Sequence, residues 1–341
     1  MLHDESAVYS PGTIANNARV LAGCAIAAVA LALSFVIPIS ARAQEYPGKP
    51  IRLVVPYSPG GANDTVARLL GQKMSESVGQ TVVIDNKPGA SGMIAGEFVA
   101  KSVPDGYTIM VDLSSMVMNP ALYPKIAYDV RADLAPITIA VNILHVFLVN
   151  PSVQARNVAE VIALAKAQDG KLNYASPGTG GPQHVSMEML KRTAGVKIVH
   201  VPFKGGAPAM MAVMGNEVQM GLFAVSTSLP QIRAGKLRAV ASLGDRRLKV
   251  LPDVPTMAEQ GYEGFSTPWL GVFAPARTPQ HILGRLHAEI IKALKSPDVR
   301  EKLEQQGLEV VGSTSEAAAK LINEEYALYG KIIRESGIRA D

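Results

Sequence analysis

A two-domain α/β protein with mainly parallel sheets is the fold class the sequence predicts, and three observations carry the prediction. From residue 50 onward a short apolar strand, a Gly/Pro/Ser loop and an amphipathic helix alternate repeatedly, which implies parallel strands covered by helices. Apolar residues make up 48% of the 341-residue chain and charged residues 18%, and its 30 glycines and 23 prolines are spread as turn signals. That balance excludes a disordered, collagen-like or polytopic membrane chain. Setting aside 43 N-terminal residues from 341 leaves 298, a length that suits two such domains better than one.

The N-terminus reads as an address. Residues 20–39 form one apolar stretch, preceded by Arg19, closed by Pro38 and followed by Ala41-Arg42-Ala43, the small-x-small pattern that signal peptidase reads. Cleavage after Ala43 is expected, with Gln44 at the mature end and a periplasmic destination. A membrane anchor is the alternative, since the stretch is about long enough to span a bilayer; Pro38 and the cleavage triplet favour the signal. Leu21-Ala22-Gly23-Cys24 matches a lipoprotein box, but it precedes the apolar core instead of following it. Cys24 is the only cysteine, so the mature chain has neither a disulfide scaffold nor a cysteine-rich zinc site.

The elements follow in order. An apolar run over 51–55 predicts a buried strand, and after loop 58–63 the residues Val66, Leu69, Leu70 and Met74 recur at helical spacing until Gly79. A strand over 81–84, loop 86–92 and a helix through Ala95, Phe98 and Val99 come next, and Pro104-Asp105-Gly106 turns into a strand over 107–113. Two apolar stretches, 137–141 and 144–149, follow with no helix between them. The rhythm resumes with a helix at 158–167, a strand at 172–175, loop 176–183, a helix at 185–191 and a strand at 197–201. Loop 202–206, a helix at 207–214, a strand at 218–222, a short helix near 228–234 and a strand at 237–242 complete the middle. Residues 245–264 are rich in Pro and Gly, 269–273 reads as a strand, and helices at 281–294, 297–306 and 316–333 end the chain. The methionines at 187, 189, 210, 211, 214 and 220 sit at packing positions. Trp269 admits two accounts, cleft wall or core.

Composition narrows the function. Thirty-three basic against 29 acidic residues give a net charge of +4 with no run of like charges. This does not call for nucleic acid and mildly favours an anionic partner; aromatics at 5% are too few for base-stacking platforms. No G-x-S-x-G is present, because Met93 stands where Gly89-Ala90-Ser91-Gly92 would need its last glycine. H-E-x-x-H and the phosphate-loop motif are absent, and His145, His184, His200, His281 and His287 lack metal-ligand spacing. No metal and no cofactor is expected. Ser176 with His184 is the one pair from which a hydrolase can be imagined, against a reading in which both merely line or cap their loop.

Ligands of open α/β sheets lie beyond the carboxyl ends of strands, where helix N-termini converge. Four loops there are rich in Gly, hydroxyls and amides: 57–64, Ser114-Ser115, 176–184 and Phe203-Lys204-Gly205-Gly206. Glycine lets backbone N–H groups approach a ligand, and a helix N-terminus supplies unpaired donors, so the two together can hold an anion without Lys or Arg. Asp64 admits two compatible accounts, a cap for its helix or a hold on a ligand hydroxyl, ammonium or water; Arg68 stands one turn on.

These loops carry a resemblance. Pro47-Gly48-Lys49-Pro50-Ile51-Arg52, then Pro59-Gly60-Gly61-Ala62-Asn63-Asp64 with Ala67-Arg68, resembles the opening of the tripartite tricarboxylate transporter substrate-binding proteins, the Bordetella uptake gene family. The likeness continues in order through Asn86-Lys87-Pro88-Gly89-Ala90, Pro104-Asp105-Gly106-Tyr107-Thr108, Asn119-Pro120-Ala121-Leu122-Tyr123, Gly170-Lys171-Leu172-Asn173-Tyr174, Val201-Pro202-Phe203-Lys204-Gly205, Ala234-Gly235-Lys236-Leu237-Arg238 and Leu251-Pro252-Asp253-Val254-Pro255-Thr256. The resemblance implies a type II periplasmic binding protein, a monomer whose two lobes are joined by crossover strands: residues 44–145 and 267–341 in one, 146–266 in the other. It implies no catalytic residue. It implies a small organic anion (a di- or tricarboxylate, amino acid or aromatic acid) pinched through main-chain N–H groups, small hydroxyls and water, then delivered to membrane permease subunits or read by a sensor protein. Carried over residue by residue, the site falls on Tyr57, Gly61, Ala62, Asp64, Ser114 and Ser115 of one lobe. On the other lobe it falls on Ser176, Gly178, Thr179, Gly180 and His184, with Phe203, Lys204 and Ser226 nearer the distal end. Pro177 and Pro182 remove two backbone donors from the second loop.

Overall fold

A computed structural model describes residues 46–339; the expected signal segment, Cys24 and the cleavage triplet lie outside the described residues. The first βα unit is β1 (Ile51–Val55), α1 (Ala62–Val78) and β2 (Val82–Asn86). Gly79 closes α1 in the left-handed conformation, at φ +68, where its N–H bonds the Ser75 carbonyl. Then come α2 (Met93–Ala100), β3 (Thr108–Leu113), a 3-10 turn over Ser114–Val117, the one-turn α3 (Asn119–Leu122) and β4 (Leu134–Ile143). Leu144 alone separates β4 from β5 (His145–Val149), the first strand of a second sheet.

Two βα units follow, α4 (Val158–Ala167) with β6 (Asn173–Ser176) and α5 (Pro182–Ala194) with β7 (Val199–Pro202). After them come α6 (Gly206–Met214), β8 (Met220–Ala224), α7 (Val225–Arg233) and β9 (Arg238–Ser242). The chain returns to the first sheet through β10 (Trp269–Pro275), then runs through α8 (Gln280–Lys295), α9 (Pro297–Gln305), β11 (Leu308–Val310) and α10 (Ser315–Ser336).

The first sheet has the order β11-β4-β10-β3-β1-β2, the second β7-β6-β8-β5-β9. Both are mixed but mainly parallel in direction: β10 and β11 run against the other strands of the first sheet, and β5 against the other strands of the second. β1 runs parallel to β2 and β3, and β6 parallel to β7 and β8. By contrast β10 is antiparallel to β3 and β4, β11 to β4, and β5 to β8 and β9. The reason is directional. β1, β3 and β6 end at the junction between the sheets, whereas β5 and β10 cross over from the other sheet, begin at that junction and so run the opposite way.

Trp269 belongs to the core. It is 1% exposed, and its indole Nε1 donates to the Glu325 carboxylate on α10 at 2.8 Å. Ser266 donates to the other Glu325 oxygen at 2.6 Å and meets the Tyr329 hydroxyl at 2.8 Å. Burial raises the Glu325 carboxyl above the usual range, and these two donors oppose the rise. One apolar cluster reaches from Met110 and Met116 of the first sheet region through Ile322, Tyr329 and Ile333 of α10 to Tyr174 and Leu190 of the second. Arg192 on α5 pairs with Glu335 on α10 at 2.6 Å. The last helix therefore braces both sheets.

Candidate functional site

The ends of β1, β3 and β6 converge on a cavity of about 260 Å³. One wall carries Tyr57 after β1, Ser91 of the loop before α2, Leu113 and Ser115 at the end of β3, and Asn119, Leu122 and Tyr123 on and after α3. The other is the loop and first turn running from Pro177 through Gly178, Thr179, Gly180, Gly181 and Pro182 to Gln183. No Lys, Arg, Asp or Glu is among these lining residues. Donors come instead from hydroxyls and the α5 N-terminus, where no side chain caps the helix and Pro182 occupies the first turn.

Of the residues predicted for the site, Tyr57, Ser115, Gly178, Thr179 and Gly180 line this cavity and the others do not. Gly61 is the N-cap of α1, with Ala62 beside it. Asp64 is 4% exposed and its oxygens are occupied locally, accepting from Arg68 Nε at 2.8 Å, Gly60 N at 3.0 Å and Asn86 Nδ2 at 3.1 Å. The Arg68 hydrogen bond does most to hold its carboxyl below the usual range. Asp64 thus ties the start of α1 to the preceding loop and to Asn86 at the end of β2, while the N-cap itself is Gly61, with no side-chain cap bond. Ser114 is buried and its hydroxyl has no hydrogen-bond partner among the described residues. Phe203 packs against the second sheet's outer core and Lys204 is exposed. Ser226 lies at the crossing, where a Cβ on Gly307 would stand 3.0 Å from the Ser226 Cβ.

Ser176 and His184 do not face each other as a nucleophile and base would. The fully buried Ser176 hydroxyl donates to the Gly178 carbonyl at 2.8 Å, and the imidazole it meets, at 2.7 Å, is His200. His184 Nδ1 accepts from Gly180 N at 3.0 Å, and its ring stacks on His200 with centroids 3.7 Å apart. Burial pushes both imidazoles down to about 4. Neutral rings suit the arrangement, because Nδ1 of His184 must keep a lone pair to accept. Beneath them Glu188 accepts from Tyr174 and Lys191, at 2.7 and 2.6 Å.

This corrects one expectation about the glycine loops. Gly60 N is bound to Asp64, Gly178 N reaches Ser176 Oγ at 3.3 Å, and Gly180 N is bound to His184. The amides of two predicted site residues, Gly178 and Gly180, thus hold their own loop in shape, and Gly60 does the same for the first loop.

Ser91, Asn119, Leu122, Tyr123 and Gln183 were not among the predicted site residues. Ser91 adopts φ +51 next to Ala90 at φ +46, an uncommon left-handed pair. Its hydroxyl meets the Tyr123 phenol at 2.7 Å, while Asn119 Nδ2 donates to its carbonyl at 3.1 Å. The motif from Asn119 to Tyr123 was the available signal. Behind this loop lies Asp112, 1% exposed, whose carboxyl is pushed up to about 8 by burial despite the Leu113 N–H. A Cβ on Gly92 would stand 3.5 Å from both its oxygens.

Two α/β sheets joined by crossing strands, with a small uncharged cavity where their strand ends meet, define a solute-binding protein of the two-lobed kind. The chain belongs to the tripartite tricarboxylate transporter family of receptors, whose model matches residues 66–338. It is accordingly a receptor and not an enzyme. It is 37% identical over 325 residues to a UPF0065 protein from the tcbD–tcbE intergenic region of Pseudomonas sp. (strain P51), covering 95% of each chain. Among solved structures it is similar to Rpa4515 of R. palustris with adipate, at 32% identity and TM-score 0.71, covering 86% of this chain and 99% of that one. MatC from Rhodopseudomonas palustris with bound malate is also 32% identical, with TM-score 0.68 and coverage of 84% and 100%. Among the described residues no cluster has the make-up of a metal site, and no helix is long and apolar enough to cross a membrane.

Proposed function

We propose that the chain is a periplasmic receptor that captures a small organic anion (a di- or tricarboxylate, amino acid or aromatic acid) between its two lobes and delivers it to a tripartite tricarboxylate-type permease. On this reading residues 1–43 are the export signal, and the lobes comprise residues 44–145 with 267–341 and residues 146–266. The observation that carries it is the cavity itself, bounded by both sheets' loops, furnished with the hydroxyls of Tyr57, Ser91, Ser115 and Thr179, and lined by no side chain of either charge. Its volume of about 260 Å³ falls below the roughly 300–1,000 Å³ of sites for drug-sized molecules and suits a small acid. Closure over a carboxylate strengthens such charge-assisted bonds as water leaves. Adipate and malate in the two relatives support this ligand class.

The test is a thermal-shift screen on protein unfolded and refolded to strip bound solute, against succinate, malate, citrate, aspartate, glutamate, adipate, nicotinate and benzoate. A cognate acid at a hundred times its Kd stabilises the fold by about 2.7 kcal/mol. No shift with any of these anions would sink the reading.

A further inference from the structure

Gln183 is the cavity residue whose side-chain orientation is settled by groups outside the cavity. His145 Nδ1 lies 2.7 Å from the Ile143 carbonyl oxygen. A carbonyl only accepts, so Nδ1 carries the hydrogen. His145 is 3% exposed, and burial pushes it down to about 4, so the ring is neutral and its Nε2 offers a lone pair. The Gln183 atom 3.0 Å from that Nε2 must then donate, which makes it the amide nitrogen. The carboxamide is thereby pinned with its oxygen at the free end, on the side of Gly181, where a Cβ would stand 3.6 Å from Oε1. Both Gly181 and Gln183 line the cavity.

We propose that Gln183 determines specificity by presenting a carbonyl oxygen to the bound acid, so that the cleft favours acids carrying a hydroxyl or ammonium group over their plain counterparts. The other polar side chains on the walls are mostly hydroxyls, which rotate to donate or accept as needed. Gln183 Oε1 cannot. It repels a carboxylate and rewards a donor, and it makes no hydrogen bond to the described residues. His145 is the positioning residue. It stands at the crossing, one residue past Leu144, and Ile143 is the last residue of β4, so the orientation of Gln183 is tied to the strand that joins the two sheets.

The inference rests on the carboxylate reading above, and its test separates the two. Binding is measured by titration calorimetry on the refolded receptor with matched acids: succinate against malate and aspartate, adipate against 2-aminoadipate, benzoate against 4-hydroxybenzoate. In whichever series binds, the donor-bearing acid is expected to bind about threefold to tenfold tighter, the worth of one hydrogen bond. Gln183→Met should bring that ratio to within about twofold, whatever it does to the plain acid's own Kd. Equal binding of the matched acids to the unaltered protein, or a preference that survives Gln183→Met, overturns the assignment and leaves the carboxylate reading standing. Failure of every acid to bind overturns both.

Discussion

Gly180 stands where the two lobes meet, and adding a single methyl there is a sharp perturbation. Its φ is +79, a conformation that costs an L-residue about 1–2 kcal/mol. In that conformation its N–H reaches His184 Nδ1, a bond worth about 1 kcal/mol net, so the backbone cannot relax to negative φ without losing it. An alanine Cβ would also stand 3.1 Å from both δ-methyls of Leu122, on the opposite wall of the cavity. Overpacking of this kind costs about 1 kcal/mol or more, and it falls on the contact between the two walls of the cavity. Gly180→Ala should therefore lower the stability of the unliganded protein by about 1–2 kcal/mol in urea denaturation. Independently, it should weaken by about fivefold or more the binding of whichever screened acid gives the largest thermal shift.

Gly61→Ser is the matched control. Gly61 has φ −83 and ψ 175, nothing lies within 4 Å of an added Cβ, and serine is a favoured N-cap. Stability should stay level or rise slightly, and affinity should stay within about twofold. If Gly61→Ser costs as much affinity as Gly180→Ala, or if Gly180→Ala binds like the unaltered protein, the placement of the two glycine loops is wrong.

The other expectations concern pH. His145, His184 and His200 are all held near 4 in the folded chain. The unfolded chain therefore binds more protons between about pH 6.5 and 4, and stability is full above that window and lost as pH falls through it. At about 1.4 kcal/mol per pH unit, His145 alone contributes roughly 3 kcal/mol, readable as a falling Tm between pH 7 and pH 4.5; a Tm level over that range would contradict the buried neutral rings. Asp112 acts with the opposite sign, because the folded chain keeps a proton that the unfolded chain releases near 3.8, so stability declines as pH rises toward about 8. Asp112→Asn should flatten the fall in Tm between pH 7 and 8, and an unchanged slope would show that the carboxyl is already ionised.

Much of the fold was legible because the information is local. Buried runs such as Ile51–Val55 and the helical spacing of Val66, Leu70 and Met74 are written in adjacent residues. Strand direction is not. Nothing near Trp269 announces that β10 enters the sheet from the far lobe, and β11 is too short, at three residues, to show a period. The same divide runs through the site. Glycine-rich loops after strands are visible in a sequence, and they do bound the cavity. Which of their polar groups remain for a ligand depends on contacts at longer range, as when His200 takes the Ser176 hydroxyl from 24 residues away. Ser91 enters the wall only because the backbone there is left-handed, a conformation its residue type does not advertise.

The occupied amides change how the cleft must work. Loops whose N–H groups already bond Asp64 on one side and Ser176 and His184 on the other are preorganised, so closing on a ligand has less ordering left to do. On the proposed function the anion would then meet mainly hydroxyls and the first turn of α5. Hydroxyls adapt to many oxygen arrangements, which suits one scaffold serving acids of different length. Discrimination must then come from a group that cannot adapt, and in this cavity the pinned carboxamide of Gln183 is such a group. On that proposal affinity and selectivity reside in different side chains, and they should be separable by mutation.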